Sequence, residues 1–258
     1  MRSSILLATL TQFTWLGLAL AAGSPFKPAT GIADPSLQLV RRYLESAWMR
    51  RATVRGAERR VEISATLLKL RKSGVLRALR RVSCAGQVTY QTLDFSGDPR
   101  VKREVIARYL AAESEERDPG SIAITPANYE FRLKAARGPG GQDIRIFRLK
   151  PRKKRVGLFK GELWLDAATG MPLRETGQFV KVPSLFLKRI RFVREYEIRG
   201  GVSIPKSIDS TVETRLVGPA ELHVSFCDPI GEADATSGSS GLILAGPFYR
   251  QEEVCHAN

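Results

Sequence analysis

Between Leu185 and Arg199 the chain alternates with a period of two. Phe186, Lys188, Ile190, Phe192, Arg194, Tyr196 and Ile198 fall on one side. Leu187, Arg189, Arg191, Val193, Glu195, Glu197 and Arg199 fall on the other. One mostly apolar and one mostly charged side predict a long strand with a buried face and a wet one. The flanking runs GELWLD, MPLRETGQFVK, VSIPKSIDSTVETRLV and AELHVSF are extended too, and are joined by AATG, Gly200-Gly201 and Gly218-Pro219. Extended runs separated by glycine-containing turns predict an antiparallel meander from Lys160 to Phe226.

The pattern upstream is mixed. Leu37, Val40, Leu44, Ala47 and Trp48 recur every three or four residues after Asp34-Pro35, which predicts a capped amphipathic helix over 35–50. Val61, Ile63, Ala65 and Leu67 alternate and begin the first strand. Val82, Cys84, Val88 and Tyr90, with Leu93 and Phe95 near the end, are read as a second strand with a bulge at Gly86. Gly97-Asp98-Pro99 then starts a second helix, to about Ser114, whose apolar side holds Val101, Val105, Ile106, Tyr109 and Leu110. Glu113, Glu115 and Glu116 at its end oppose the helix dipole. Tyr129–Leu133 and Ile144–Leu149 add strands around a GPGGQ turn. The expected class is α+β. It is a curved antiparallel sheet, an incomplete barrel of about eight or more strands, with two helices on its concave face.

The N-terminus has its own pattern. Arg2 precedes an apolar run from Ile5 to Leu20, and Ala19-Leu20-Ala21 forms a small-x-small site. This predicts a signal peptide over 1–21 cleaved near Ala21, hence export to the periplasm. Residues 22–33 are expected to be a leader, 34–226 the folded domain and 227–258 a flexible C-terminal tail. The formal charge of +15 over 258 residues favours anionic partners, and export disfavours nucleic acid among them. Arg152, Lys153, Lys154 and Arg155, at a hairpin tip, are the candidate contacts to an anionic membrane surface. Of the three cysteines, Cys227 and Cys255 are the preferred disulfide pair, with Cys84 left as a small buried residue within a strand.

The order of elements resembles the LolA/LolB-like fold of periplasmic lipoprotein carriers. The exported leader, the helix ending near Trp48, Gly161-Glu-Leu-Trp-Leu-Asp166, Thr169-Gly170-x-Pro172 and the aromatic strand Phe186 to Tyr196 carry the resemblance. It implies a half-barrel over roughly residues 35–226, with helices plugging its open side and an apolar cavity for acyl chains. It thus implies a monomeric carrier of a lipid or lipoprotein acyl chain, with no catalytic residues, cofactor or metal. Sensor domains of the RseB/MucB kind resemble the same fold and are the alternative, and an envelope hydrolase is the third class.

Candidate cavity residues are Tyr109, Leu110, Leu173, Phe179, Phe186, Ile190, Phe192, Arg194 and Tyr196. The competing reading is a solid core under two helices. Arg194 and Lys188 interrupt the apolar face, so each should pair with an acid or lie at a cavity rim. A hydrolase needs a nucleophile, a base and an orienting group. The histidines do not supply one, because His223 lies on a wet strand face and His256 lies in the last three residues. Glu162 and Asp166 flank Trp164 as a carboxylate pair. The simpler roles are Asp166 capping the hairpin turn and Glu162 pairing with an Arg on a neighbouring strand.

Overall fold

The computed structural model describes residues 35–115, 118–135, 143–183, 187–215 and 218–227. The proposed signal peptide and leader lie outside these residues, as do Asp34, Phe186 and the proposed tail beyond Cys227, with Cys255 and His256.

Helix α1 spans Pro35–Val54. The strands β1 (Glu58–Leu67), β2 (Lys72–Val82) and β3 (Val88–Gly97) follow. A second helix, α2, covers 99–114 as Pro99–Val101, a π-helical stretch Lys102–Ile106, and Ala107–Ser114. Asp98 caps its start by accepting a hydrogen bond from Arg100 N at 2.8 Å. After a short helix α3 (Pro119–Ile122) come β4 (Tyr129–Ala135), β5 (Ile144–Pro151), β6 (Phe159–Asp166), β7 (Pro172–Phe179), β8 (Leu187–Arg199), β9 (Val202–Thr214) and β10 (Pro219–Cys227).

The ten strands of the described residues form one curved, unclosed antiparallel sheet in the order β3-β2-β1-β10-β9-β8-β7-β6-β5-β4. Its edges are β3 and β4, and the segment joining those edges carries α2 and α3. The expected architecture, an incomplete antiparallel barrel with helices on its inner face, is the one observed.

The connection after β2 and the cysteines differ from expectation. The run from Val82 to Val88 is a turn between two strands, not a bulge within one. Ser83 N donates to Gln87 O and Gly86, at φ +88, donates to Ser83 O. Apolar Val82, Cys84 and Val88 on either side hide that turn in the sequence. Cys84 is therefore a half-buried turn residue, and it is disulfide-bonded. Cys227 ends β10 with a free thiol, so the expected pairing of Cys227 is overturned.

The inner face holds two cores. One gathers Val61, Ile63 and Leu67 of β1, Leu76 of β2 and Val224 of β10 beneath Val101 and Ile106 of α2. The other gathers Tyr129, Phe147, Leu163 and Leu165 with Phe159 and Phe192 beneath Leu39, Val40 and Tyr43 of α1. Each helix thus buries one side against a different half of the sheet, the stabilising term being about 1.5–3 kcal/mol for each large side chain fully buried. On α1 that side is centred on Leu39, Val40 and Tyr43, with Leu44 and Ala47 partly buried, whereas Leu37 and Trp48 of the expected stripe are exposed. The turn at Thr169-Gly170 seats α1. Arg42 Nη1 donates to Ala168 O at 2.8 Å, and a Cβ on Gly170 would come within 2.6 Å of Arg42 Cβ. Glycine is required there both by that approach and by φ +73.

Candidate functional site in the half-barrel

Period-two register decides what faces the interior. Glu175 of β7 pairs directly with Arg194 of β8, and Gly177 with Phe192. All four therefore share the inner face with Leu163 and Gly161, their partners on β6. Phe159 and Phe192 meet edge-on with ring centroids 4.9 Å apart, and Phe179 lies 5.2 Å from Phe192. The Phe159 ring occupies the space left free by Gly177.

The charge on the apolar face has the acid it needs. Arg194 Nη1 lies 3.2 Å from Glu175 Oε2, and the Tyr196 hydroxyl donates to Glu175 Oε1 at 2.7 Å. Glu175 is almost fully buried, whereas Arg194 keeps about a third of its side chain exposed (3% and 34%). The Arg50 guanidinium of α1 stacks 5.2 Å above the Tyr196 ring. Burial first, then the Glu175 carboxylate, push the Tyr196 hydroxyl up to about 12, against the pull of Arg194 and Arg50. Burial and Glu175 raise Tyr43 in the same way.

A second polar group sits under α2. Glu113 pairs with Arg80 at 3.8 Å, which answers the acid at this helix end. Burial, then Glu113, push Tyr90 up to about 12 and also raise Tyr109, which additionally feels Arg194. The two groups together form a polar band between the apolar cores. Within it the Tyr109 hydroxyl, Arg50 Nη1 and Arg80 Nε are buried with no hydrogen-bond partner among the described residues. Groups of this kind are costly unless something supplies a partner.

The predicted residues distribute as follows. Phe192 and Tyr196 are buried on the inner face, and Phe179 packs against the second core. Ile190 is half-buried, and Leu173 falls at the β6–β7 bulge. Tyr109 and Leu110 pack against the first core, under α2, while Phe192 belongs to the second. Lys188 is exposed at a bulge in the β8–β9 pairing. Asp166 does cap its turn, accepting from Thr169 N and Oγ1 at 2.8 and 2.7 Å. Glu162 pairs with Lys134 at 2.5 Å rather than with an arginine. Of the basic tip, Arg152 Nε holds Pro126 O and Arg155 Nη1 holds Ser121 O, while Lys153 and Lys154 are exposed. Among the described residues no group of three or more His, Cys, Asp or Glu could hold a metal. No described helix is long and apolar enough to cross a membrane.

The sequence reasoning missed Glu175. It lies between Leu173 and Phe179, two residues assigned to the greasy face of that very run. A lone acid at an alternate position of an apolar face is the signal that identifies Arg194's partner.

No family model matches the chain, and no curated protein matches it. Among solved structures, a LolA superfamily protein from Nitrosomonas europaea is 16% identical with a TM-score of 0.36, covering 73% of this chain and 91% of that one. An outer membrane lipoprotein-sorting protein domain from Vibrio parahaemolyticus is 15% identical with a TM-score of 0.34, covering 73% and 92%. A Pseudomonas aeruginosa MucA/MucB complex contains a chain 15% identical with a TM-score of 0.22, covering 72% and 94%. With TM-scores below 0.5, these likenesses decide nothing about what this chain binds.

Proposed function

We propose that this chain is a non-catalytic carrier of the periplasm that takes up a lipid acyl chain, free or on a lipoprotein, between α2 and the inner face of its half-barrel. The observation that supports it is the polar band: buried donors and acceptors without partners, set between two apolar cores. An amphipathic guest completes both, its chain entering the cores and its head meeting the band. Tyr109 and Leu110 line the entrance in this reading. Phe179, Ile190, Phe192, Arg194 and Tyr196 line the interior, with Leu173 and Phe186 at its margin.

Entry requires α2 to lift. Its π-helical stretch, its half-buried Tyr109 and Leu110, and its place between the two sheet edges make it an element that opens more easily than the strands. Amides of residues 99–114 are expected to exchange with solvent faster than those of β8. Equal protection of the two would rule out gating by α2. Leu110→Asp, which places a charge against the first core, is expected to abolish uptake of a fluorescent fatty acid and to cost a few kcal/mol of stability. Native mass spectrometry of protein purified from an envelope fraction tests the proposal itself. A co-purifying lipid supports it, and a ligand-free mass with no uptake of the fluorescent probe sinks it.

The surface charge has a separate expected consequence. Each Lys or Arg near an anionic bilayer contributes about 1 kcal/mol, and at 0.5 M salt a Debye length of about 4–5 Å removes most of it. Binding to vesicles containing phosphatidylglycerol should therefore be lost in 0.5 M salt. It should also weaken when Arg152, Lys153, Lys154 and Arg155 are replaced by glutamine. Binding indifferent to both changes would show that the charge does not serve attachment.

A further inference from the structure

The outer face of the sheet, opposite both cores, carries a furrow of about 670 Å³. Register explains it. Ser64, His223, Asp209, Val193 and Thr176 are successive cross-strand neighbours from β1 to β7. Two residues along, Thr66, Glu221, Thr211, Arg191, Gln178 and Lys160 form a second such row, ending on β6. Between the rows runs the backbone of Ala65, Leu222, Ser210, Phe192 and Gly177, which face inward. Short side chains at Ser64, Thr66, Thr176 and Thr211 leave that backbone uncovered as a floor, and the longer side chains stand as walls. Across the five spacings of about 4.8 Å between six strands, the furrow runs about 24 Å perpendicular to them.

Its chemistry sets it apart from the rest of the surface. The hydroxyls of Ser64, Thr66, Thr176 and Thr211 and the amide of Gln178 each both donate and accept. Lys160 and Arg191 stand toward the β6–β8 end, Arg191 being also 4.0 Å from Glu213. Asp209 and Glu221 stand toward the β9–β10 end. These two cations and two carboxylates balance, in a chain whose formal charge is +15. A surface serving only to attract polyanions would share the chain's cationic excess and would not place two carboxylates there. Asp209 Oδ1 engages His223 Nδ1 at 2.6 Å, which fixes the ring and leaves Nε2 for a ligand hydroxyl. An acyl chain finds little here, since Val193 is the one large apolar side chain on either row.

We infer that this furrow is a saccharide-binding site for an uncharged or zwitterionic oligosaccharide lying across the strands. Hydroxyl-rich sugar units match a lining that mixes hydroxyls and an amide, which both donate and accept, with carboxylates that accept and cations that donate. The length accommodates several units in a row. The site is on the opposite face of the sheet from the acyl-chain interior and is independent of it.

Titration calorimetry of the full chain with chitotetraose, maltotetraose and cellotetraose, and with a heparin tetrasaccharide as the polyanionic probe, tests the inference. At least one neutral tetrasaccharide is expected to bind and to shift the His223 ring resonances. Thr211→Trp, which fills the furrow from a solvent-facing strand position, is expected to weaken that binding at least about tenfold, a loss of about 1.4 kcal/mol or more. The same variant should leave the melting temperature and fatty-acid uptake unchanged. If it melts early, Thr176→Trp takes its place. Binding of the heparin fragment alone, no binding of any neutral probe, or binding indifferent to both tryptophans overturns the inference.

Discussion

Glu175→Ala is expected to lower the unfolding free energy by about 3 kcal/mol. Breaking a buried ion pair costs about 3–5 kcal/mol because the surviving charge is left uncompensated. Arg194 keeps a third of its side chain exposed, which places this case at the low end. The substitution also removes the acceptor for the Tyr196 hydroxyl. In a domain of this size the melting temperature should fall by about 6–12 °C. Glu175→Gln keeps the shape and an acceptor for Tyr196, and should cost less. A melting temperature within a degree of the parent for Glu175→Ala would mean that Arg194 is solvated and that the band is not a buried polar site. Burial of the Tyr196 hydroxyl, and then the Glu175 carboxylate, give the pH dependence its sign. Tyr196 holds its proton in the folded state up to about 12, whereas an unfolded tyrosine releases it near about 10. Its contribution is therefore complete below pH about 10 and is lost as pH rises to about 12, and thermal melts across that window should show the decline.

Gly161→Ala is expected to be nearly as damaging, by a different route. Gly161 and Gly177 are direct partners on β6 and β7. A Cβ at 161 would lie 1.9 Å from Thr176 O, a backbone atom fixed by the strand pairing. A Cβ at 177 would lie 2.4 Å from Phe159 Cδ2, a ring that can turn away, and 2.7 Å from Lys160 O, a backbone contact less severe than the one at 161. Overpacking costs about 1–3 kcal/mol where neighbours can relax and more where they cannot. Gly161→Ala should therefore exceed Gly177→Ala in loss of stability, measured by denaturant unfolding. The reverse order would show that the β6–β7 backbone yields more readily than the aromatic cluster.

Much of this was legible in the chain. The alternation from Phe186 to Ile198 identified the inner side of β8, and Asp98-Pro99 identified the start of α2. Arg194 announced a buried partner, and His223 announced a wet face. What stayed hidden depends on register. That Glu175 stands opposite Arg194, or that Ser64, His223 and Asp209 line up, follows from how separate strands align. Period-two patterns show which side a residue faces but not its neighbour across the gap. The furrow was invisible for the same reason, since alternating Ser and Thr on a wet side look alike whether or not they adjoin. The Ser83–Gly86 turn was masked by apolar residues on both sides of it.

The pairing of β1 with β10 sets the order in which the molecule can be built. Residues 58–67 find their partner only in residues 219–227, so the two halves of the sheet are joined by contacts spanning nearly the whole folded chain. Closing so long a loop delays the reward of pairing, and folds dominated by such contacts form slowly. Until β10 arrives, β1 and β9 each present an unpaired edge in the middle of the future sheet, open to pairing with other chains. A chain emerging N-terminus first can assemble β1 to β3 early but must hold them unfinished until its last strand is delivered. Its yield is thus set in the interval before that strand docks.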